Sequence, residues 1–345
     1  MNKTINYQYS QRNEECNIHL DWNEATRSPF SVEEIIKLIS KRDIVNLNLY
    51  PIYYPDSLRN EVKNFYSIDS SYSLHTSGSD SALEVTLAAL RANFSRCITR
   101  KFSYGHFSVF ANNLGYQVDK INNDELTNIN NVRAIVYIDN PNNPTGAVIE
   151  KINIQNLCLN NPSSIFIIDE AYNEFSKKSS SINLIPHISN LIITRTMSKA
   201  FGLASIRSGF LFSNKNLLKK LEATHNKKSV SLFASLITEI ALNKSHLMND
   251  FVDSVSSVKE QFYNIFNKER LFNLNNTNFE TLFFNDKAKA QKLASIHGLA
   301  FRDMNKTYGI NDALRVTFPD SKNSNSFIEL IKIYVNEDLI KKVGF

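Results

Sequence analysis

The chain has 345 residues, 42% hydrophobic and 21% charged, with 39 basic against 34 acidic side chains and a formal net charge of +5. This composition excludes a disordered, collagen-like or membrane-embedded protein, and the length allows two or three structural units that each bury a core. The basic residues are dispersed rather than blocked, which argues against a nucleic-acid partner.

The N-terminal stretch is polar and holds no signal-type apolar run, and no segment reaches the ~18 apolar residues of a membrane helix. Cys16, Cys97 and Cys158 are far apart and lack the spacings of metal or redox sites. A cytoplasmic protein without a metal or a membrane partner is expected.

Residues 1–30 read as an N-terminal arm with few periodic signals. In the large unit expected over 31–235, short apolar runs predict strands at 73–77, 98–102, 117–121, 134–139, 165–169, 191–196 and 209–213. Helical periodicity falls between them, at 80–94 and 105–113 among others, and this alternation argues for an α/β unit with a mostly parallel seven-stranded sheet. Helical stretches at 217–222, 230–242 and 251–266, then strand-like 281–285 and 314–318, carry the chain into a smaller α+β unit expected over 236–345.

Ligands of open α/β sheets sit beyond the carboxyl ends of the strands, so the residues just after each apolar run carry the functional argument. Thr76-Ser77-Gly78-Ser79-Asp80 follows a strand and opens a helix, an arrangement that suits an anion and equally an ordinary N-cap. Asp139-Asn140-Pro141-Asn142-Asn143-Pro144-Thr145-Gly146 is turn chemistry that also holds asparagines at a strand end. Asp169 directly follows four apolar residues, where an ionised carboxylate needs a cationic partner or else caps the next turn. Lys199 lies just past the 191–196 strand; such a lysine is either a solvated charge or, if desolvated, a Schiff-base nucleophile.

Taken together, these segments resemble the fold type I pyridoxal-phosphate enzymes, within them the histidinol-phosphate aminotransferase-like family, from Leu20-Asp21-Trp22-Asn23-Glu24 to Leu314-Arg315-Val316-Thr317-Phe318. The resemblance implies a fold type I transferase that uses pyridoxal 5′-phosphate. Its (S/T)-x-S-K-A-F-G-L-x-x-x-R pattern implies Lys199 as the Schiff-base lysine, Thr196 and Ser198 as hydroxyl ligands of the cofactor phosphate, and Arg207 as its cationic ligand. Ser79 and Asp80 would add backbone N–H groups to that phosphate. Asp169 would pair with the pyridinium nitrogen, Tyr172 and Asn143 would bond the ring 3′-oxygen, and Tyr104 would stack on the ring. His106, beside Tyr104, is placed to tune the site, although an ordinary packed or exposed histidine is the favoured reading.

Tyr54, in Tyr53-Tyr54-Pro55, matches the tyrosine that the family lends to the neighbouring subunit's cofactor phosphate, which implies a homodimer. Arg302 and Arg315 resemble the pair that holds substrate anions, with Asn23 beside them in the substrate-facing set. The implied reaction is ping-pong amino transfer between L-glutamate and a phosphorylated ketone. Asn23-Glu24-Ala25-Thr26 stands where the family has Asn-Glu-Asn-Pro, Tyr53-Tyr54-Pro55 where it has Arg-Tyr-Pro, and Phe318-Pro319-Asp320 where it has a Gly-Thr turn. These departures fall on substrate-facing segments and point to an acceptor smaller than histidinol phosphate, such as dihydroxyacetone phosphate, whose amine counterpart is serinol phosphate. The alternatives are a decarboxylase of a phosphorylated amino acid on the same scaffold and, more remotely, a non-catalytic binding protein.

Overall fold

The computed structural model describes residue 12 and residues 15–41, 47–176, 180–266 and 276–343. Its strands are β1 (Ile18–Leu20), β2 (Ser73–Thr76), β3 (Arg96–Arg100), β4 (Gln117–Ile121), β5 (Ile135–Asp139), β6 (Ile165–Asp169), β7 (Leu191–Thr196), β8 (Gly209–Ser213), β9 (Phe279–Phe284), β10 (Leu299–Asp303), β11 (Ala313–Thr317) and β12 (Ile340–Val343). They form a seven-stranded sheet in the order β2-β8-β7-β6-β5-β3-β4 and a five-stranded sheet in the order β1-β10-β11-β9-β12. In the larger sheet only β8 runs antiparallel to its neighbours.

The continuous apolar runs are strands because both faces of this sheet are covered. Ile135, Tyr137, Ile167, Ile192 and Leu211 pack on one face with Leu83, Leu87 and Phe107. Val136, Ile138, Phe166, Ile168, Ile193 and Phe212 pack on the other, with Val62, Leu236 and Ile240. Successive residues of one strand thus enter opposite cores, as a side-chain period of two requires.

Four helices precede or interleave with the first strands of the sheet: α1 (Val32–Ser40), α2 (Asp56–Tyr66), α3 (Gly78–Leu90) and α4 (Gly105–Asn113). Neither α1 nor α2 is among the predicted elements. The α1 signal is present in the chain: Ser31 accepts from Glu34 N as an N-cap, ahead of Ile35, Ile36 and Ile39. The predicted 230–242 helix runs Leu232–Asn243, because Ser231 caps it by accepting from Ala234 N and Val230 stays extended. The 251–266 helix begins earlier, at Ser245, and runs to Ile265.

Part of the expected N-terminal arm is strand. β1 pairs in parallel with β10, with Leu20 opposite Phe301, and so extends the smaller sheet. In that sheet Arg302 lies opposite Arg315, and Arg315 opposite Thr281.

Two registers position the site. Asp139, Asp169 and Thr194 are neighbours across β5, β6 and β7, so three strand ends present polar side chains at one edge. Gly209 opens β8 opposite both Thr76 and Thr196. A Cβ there would meet Arg195 O at 2.6 Å, Gly78 C at 2.8 Å and Ser79 N at 2.9 Å; only glycine lets the start of α3 close on the end of β7.

Candidate active site

A cavity of ≈ 1090 Å³ opens at the carboxyl ends of β5, β6 and β7. Every site residue singled out in the sequence borders it except Tyr54. At its base lies Asp169, whose Oδ2 accepts from Tyr137 Oη at 2.8 Å and whose Oδ1 accepts from Thr194 Oγ1 at 2.9 Å. Neither partner is cationic. Burial consequently pushes the carboxyl up to about 6, against the pull of the two hydroxyls. A buried carboxylate held by neutral donors and open to a cavity is the complement of a ligand that brings its own cationic N–H.

Lys199 follows β7, and its Nζ donates to Trp22 O at 3.0 Å. Burial first, and Arg315 after it, bring its pKa down to about 8 against the opposing pull of Glu24 and Asp80. A lysine amine in this range is substantially neutral near pH 8 and is a competent nucleophile toward an aldehyde.

Beside it, the first turn of α3 and the segment after β7 form an anion cup. Ser198 Oγ accepts from Arg207 Nη1 at 3.3 Å and from Thr196 Oγ1 at 3.0 Å. Arg207 Nη2 lies 3.7 Å from Asp80 Oδ2. Gly78 has φ +84°, and a Cβ on it would stand 2.8 Å from Arg207 Nη2, so the arginine reaches the helix start over a glycine. Ser79 and Asp80, in the first turn of this 13-residue helix, carry backbone N–H groups without intrahelical partners. Cation, hydroxyls and helix terminus together match a phosphate monoester in charge and donor number.

A polar chain joins the two sheets across the cavity. Tyr172 Oη accepts from Asn23 Nδ2 at 3.0 Å and from Asn143 Nδ2 at 3.5 Å. Asn143 Oδ1 accepts from Arg315 Nη1 at 2.7 Å, while Arg315 Nη2 donates to Asp21 O at 2.9 Å. Burial pushes Tyr172 up to about 12, which keeps its hydroxyl neutral. The Tyr104 hydroxyl donates to Asp80 Oδ1 at 2.9 Å and lies 3.0 Å from His106 Nδ1, so His106 belongs to the cavity wall.

Tyr54 stands apart from this cavity: it is 2% exposed, and its hydroxyl lies 2.6 Å from Ser73 Oγ within its own subunit. An earlier Tyr-Pro pair, Tyr50-Pro51, occurs in the same stretch, and Tyr50 is 77% exposed. Sequence reading also missed Tyr137 and Thr194 as the groups that hold Asp169. It missed Asp139 too, which accepts from Ser103 Oγ, Tyr104 N, Asn142 Nδ2 and Asn143 N and so ties the Tyr104 and Asn143 loops together. The position of Asp139 at a strand end was a usable signal for it; nothing local marks Tyr137.

The chain is 35% identical over 266 residues to a dihydroxyacetone phosphate transaminase of Campylobacter jejuni, covering 72% of this chain and 71% of that protein. It is 29% identical over 322 residues to a histidinol-phosphate aminotransferase of Buchnera aphidicola, covering 85% and 86%. The crystal structure of a histidinol-phosphate aminotransferase from Sinorhizobium meliloti, in complex with pyridoxal-5′-phosphate, superposes with a TM-score of 0.79 at 19% identity, covering 93% of this chain and 90% of that one. A family model described as aminotransferase class I and II matches residues 18–331, and with the relatives above it establishes that this chain belongs to that family of pyridoxal-phosphate-dependent aminotransferases.

Proposed function

We propose that the protein transfers the amino group of L-glutamate to a short phosphorylated ketone, with Lys199 as the proton-transfer group and Arg302 and Arg315 as the anion-holding pair. The observation that carries this reading is the pairing of the two arginines across β10 and β11, on the wall of the cavity that also contains Lys199. Two adjacent guanidinium groups suit a dianionic substrate, whether a dicarboxylate or a phosphate. The relatives named for dihydroxyacetone phosphate and histidinol phosphate support the phosphorylated acceptor.

Bound pyridoxal phosphate supplies an electron sink for the charge that develops at the substrate Cα. Asp169 would accept the ring N–H and keep it protonated, and Tyr172 and Asn143, already joined to each other, would bond the 3′-oxygen. Arg207, Ser198, Thr196 and the first turn of α3 would hold the phosphate, and Tyr104 would lie against the ring. Freed by the amino donor, Lys199 would serve as the base toward the substrate Cα proton, as an amine whose burial lowers its pKa to about 8 can do.

We infer further that the protein is a homodimer in which Tyr50, rather than Tyr54, reaches the neighbouring cofactor phosphate. Exposed Leu47, Leu49 and Ile52 flank Tyr50 and form an apolar surface suited to a partner subunit. Sedimentation should give the mass of two chains, and Tyr50→Phe should weaken cofactor retention without splitting the dimer. A monomer at micromolar concentration refutes this arrangement.

The half-reaction tests the activity directly. The protein loaded with pyridoxal phosphate and given excess L-glutamate without acceptor should lose the absorbance band of the lysine-bound cofactor, gain that of pyridoxamine phosphate and release 2-oxoglutarate. Carbon dioxide release from a phosphorylated amino acid with no keto acceptor would instead favour the decarboxylase.

A further inference from the structure

One buried carboxylate on the cavity wall has no role in the chemistry above. Leu20 pairs with Phe301, so Asp21 follows beside Arg302, which in turn pairs with Arg315. Asp21, Arg302 and Arg315 all border the cavity. Asp21 is 9% exposed, yet its Oδ1 meets no hydrogen-bond donor among the described residues. Burial pushes its carboxyl up, although its own backbone amide, His19, Arg302 and Arg12 pull the other way. A buried acceptor left unmet is costly, and its retention on the wall of a binding cavity points to a donor that arrives with a ligand.

Geometry places Asp21 against both arginines: it follows β1 beside Arg302, and its backbone O accepts from Arg315 Nη2 at 2.9 Å. A carboxylate oxygen there accepts a neutral donor and opposes a second anionic group.

We propose that Asp21 is a specificity-determining residue: its unmet oxygen accepts a hydrogen bond from a hydroxyl on a short phosphate monoester whose phosphate lies on the adjacent arginine pair. This deepens the phosphorylated-ketone reading and rests on it. The ligand class is thus a hydroxylated three-carbon phosphate rather than its deoxy counterpart.

The test uses inert ligands, so that binding is read apart from turnover. Glycerol 3-phosphate and propane-1,2-diol 1-phosphate differ only in the terminal hydroxyl, and neither has a carbonyl. Titrated calorimetrically into the protein loaded with pyridoxamine phosphate, the hydroxylated ligand should bind about 10- to 100-fold tighter, the range expected for one hydrogen bond to a charged acceptor. Asp21→Ala should bring that preference to within about threefold, mainly by weakening the hydroxylated ligand. If the alanine protein does not fold, Asp21→Asn, which keeps the shape and removes the charge, should reduce the preference at least about threefold. A wild-type ratio near one, or a variant that keeps the wild-type ratio, overturns the role of Asp21 alone. If neither phosphate binds the wild-type protein at millimolar concentration, the phosphorylated-substrate reading falls first and the inference with it.

Discussion

Replacing Lys199 with alanine should abolish covalent loading of the cofactor and lower turnover by at least roughly 10⁴-fold, because in the proposed mechanism one amine supplies both the attachment point and the proton transfer. Borohydride reduction of the loaded wild-type protein should fix the cofactor on the peptide that contains residue 199, and the variant should show no such adduct. Lys199→Arg keeps a cation in the same pocket but cannot form the linkage, so it separates loss of chemistry from loss of folding. The pH dependence has a definite sign. Burial holds the amine near about 8, so the rate at which cofactor-free protein takes up pyridoxal phosphate should rise with pH through that value as the neutral amine accumulates. A rate independent of pH between roughly 7 and 9 would show that Lys199 is not the attacking group.

Asp169→Asn should lower turnover by roughly 10²- to 10³-fold while the protein stays folded, since the amide keeps the shape but cannot hold the ring N–H protonated. The same carboxylate gives cofactor-free protein a pH-dependent stability. Burial raises its pKa from 3.8 to about 6, so the fold binds this proton more tightly than the unfolded chain does. Its contribution is fully present below about 4 and is lost as pH rises through about 6. Urea denaturation of the cofactor-free protein across that window should show this decline in the wild type and its absence in the asparagine variant. A variant with unchanged turnover, or an unchanged pH profile of stability, would remove Asp169 from its assigned place.

The seven strands of the larger sheet were legible because β5, β6 and β7 are buried on both faces, and such strands must be written as unbroken apolar runs. Lys199, Ser198, Thr196 and Arg207 were legible for a second reason: they lie within one short stretch, so spacing along the chain already implies spacing in space. Asp169 ends β6 and Asn143 lies in the loop after β5, and in a parallel sheet strand ends converge without further information. Helix α1 was missed although its cap and apolar spacing are local, so its omission reflects reading rather than physics.

Contacts between strands belong to a different level. Tyr137 and Thr194 meet Asp169 only because β5, β6 and β7 take one register, which the packing of both sheet faces sets. Two Tyr-Pro pairs stand close together in the chain, and folding treats them differently, burying Tyr54 against Ser73 and leaving Tyr50 77% exposed. Asp21 and Arg302 come from opposite ends of the sequence and become neighbours when β1 joins β10. Local sequence carried the candidate reacting groups, because catalytic chemistry depends on residue type and short spacing. The substrate-facing wall came from long-range strand pairing, since which side chain stands beside which there depends on register between distant segments, a property of the whole packed sheet.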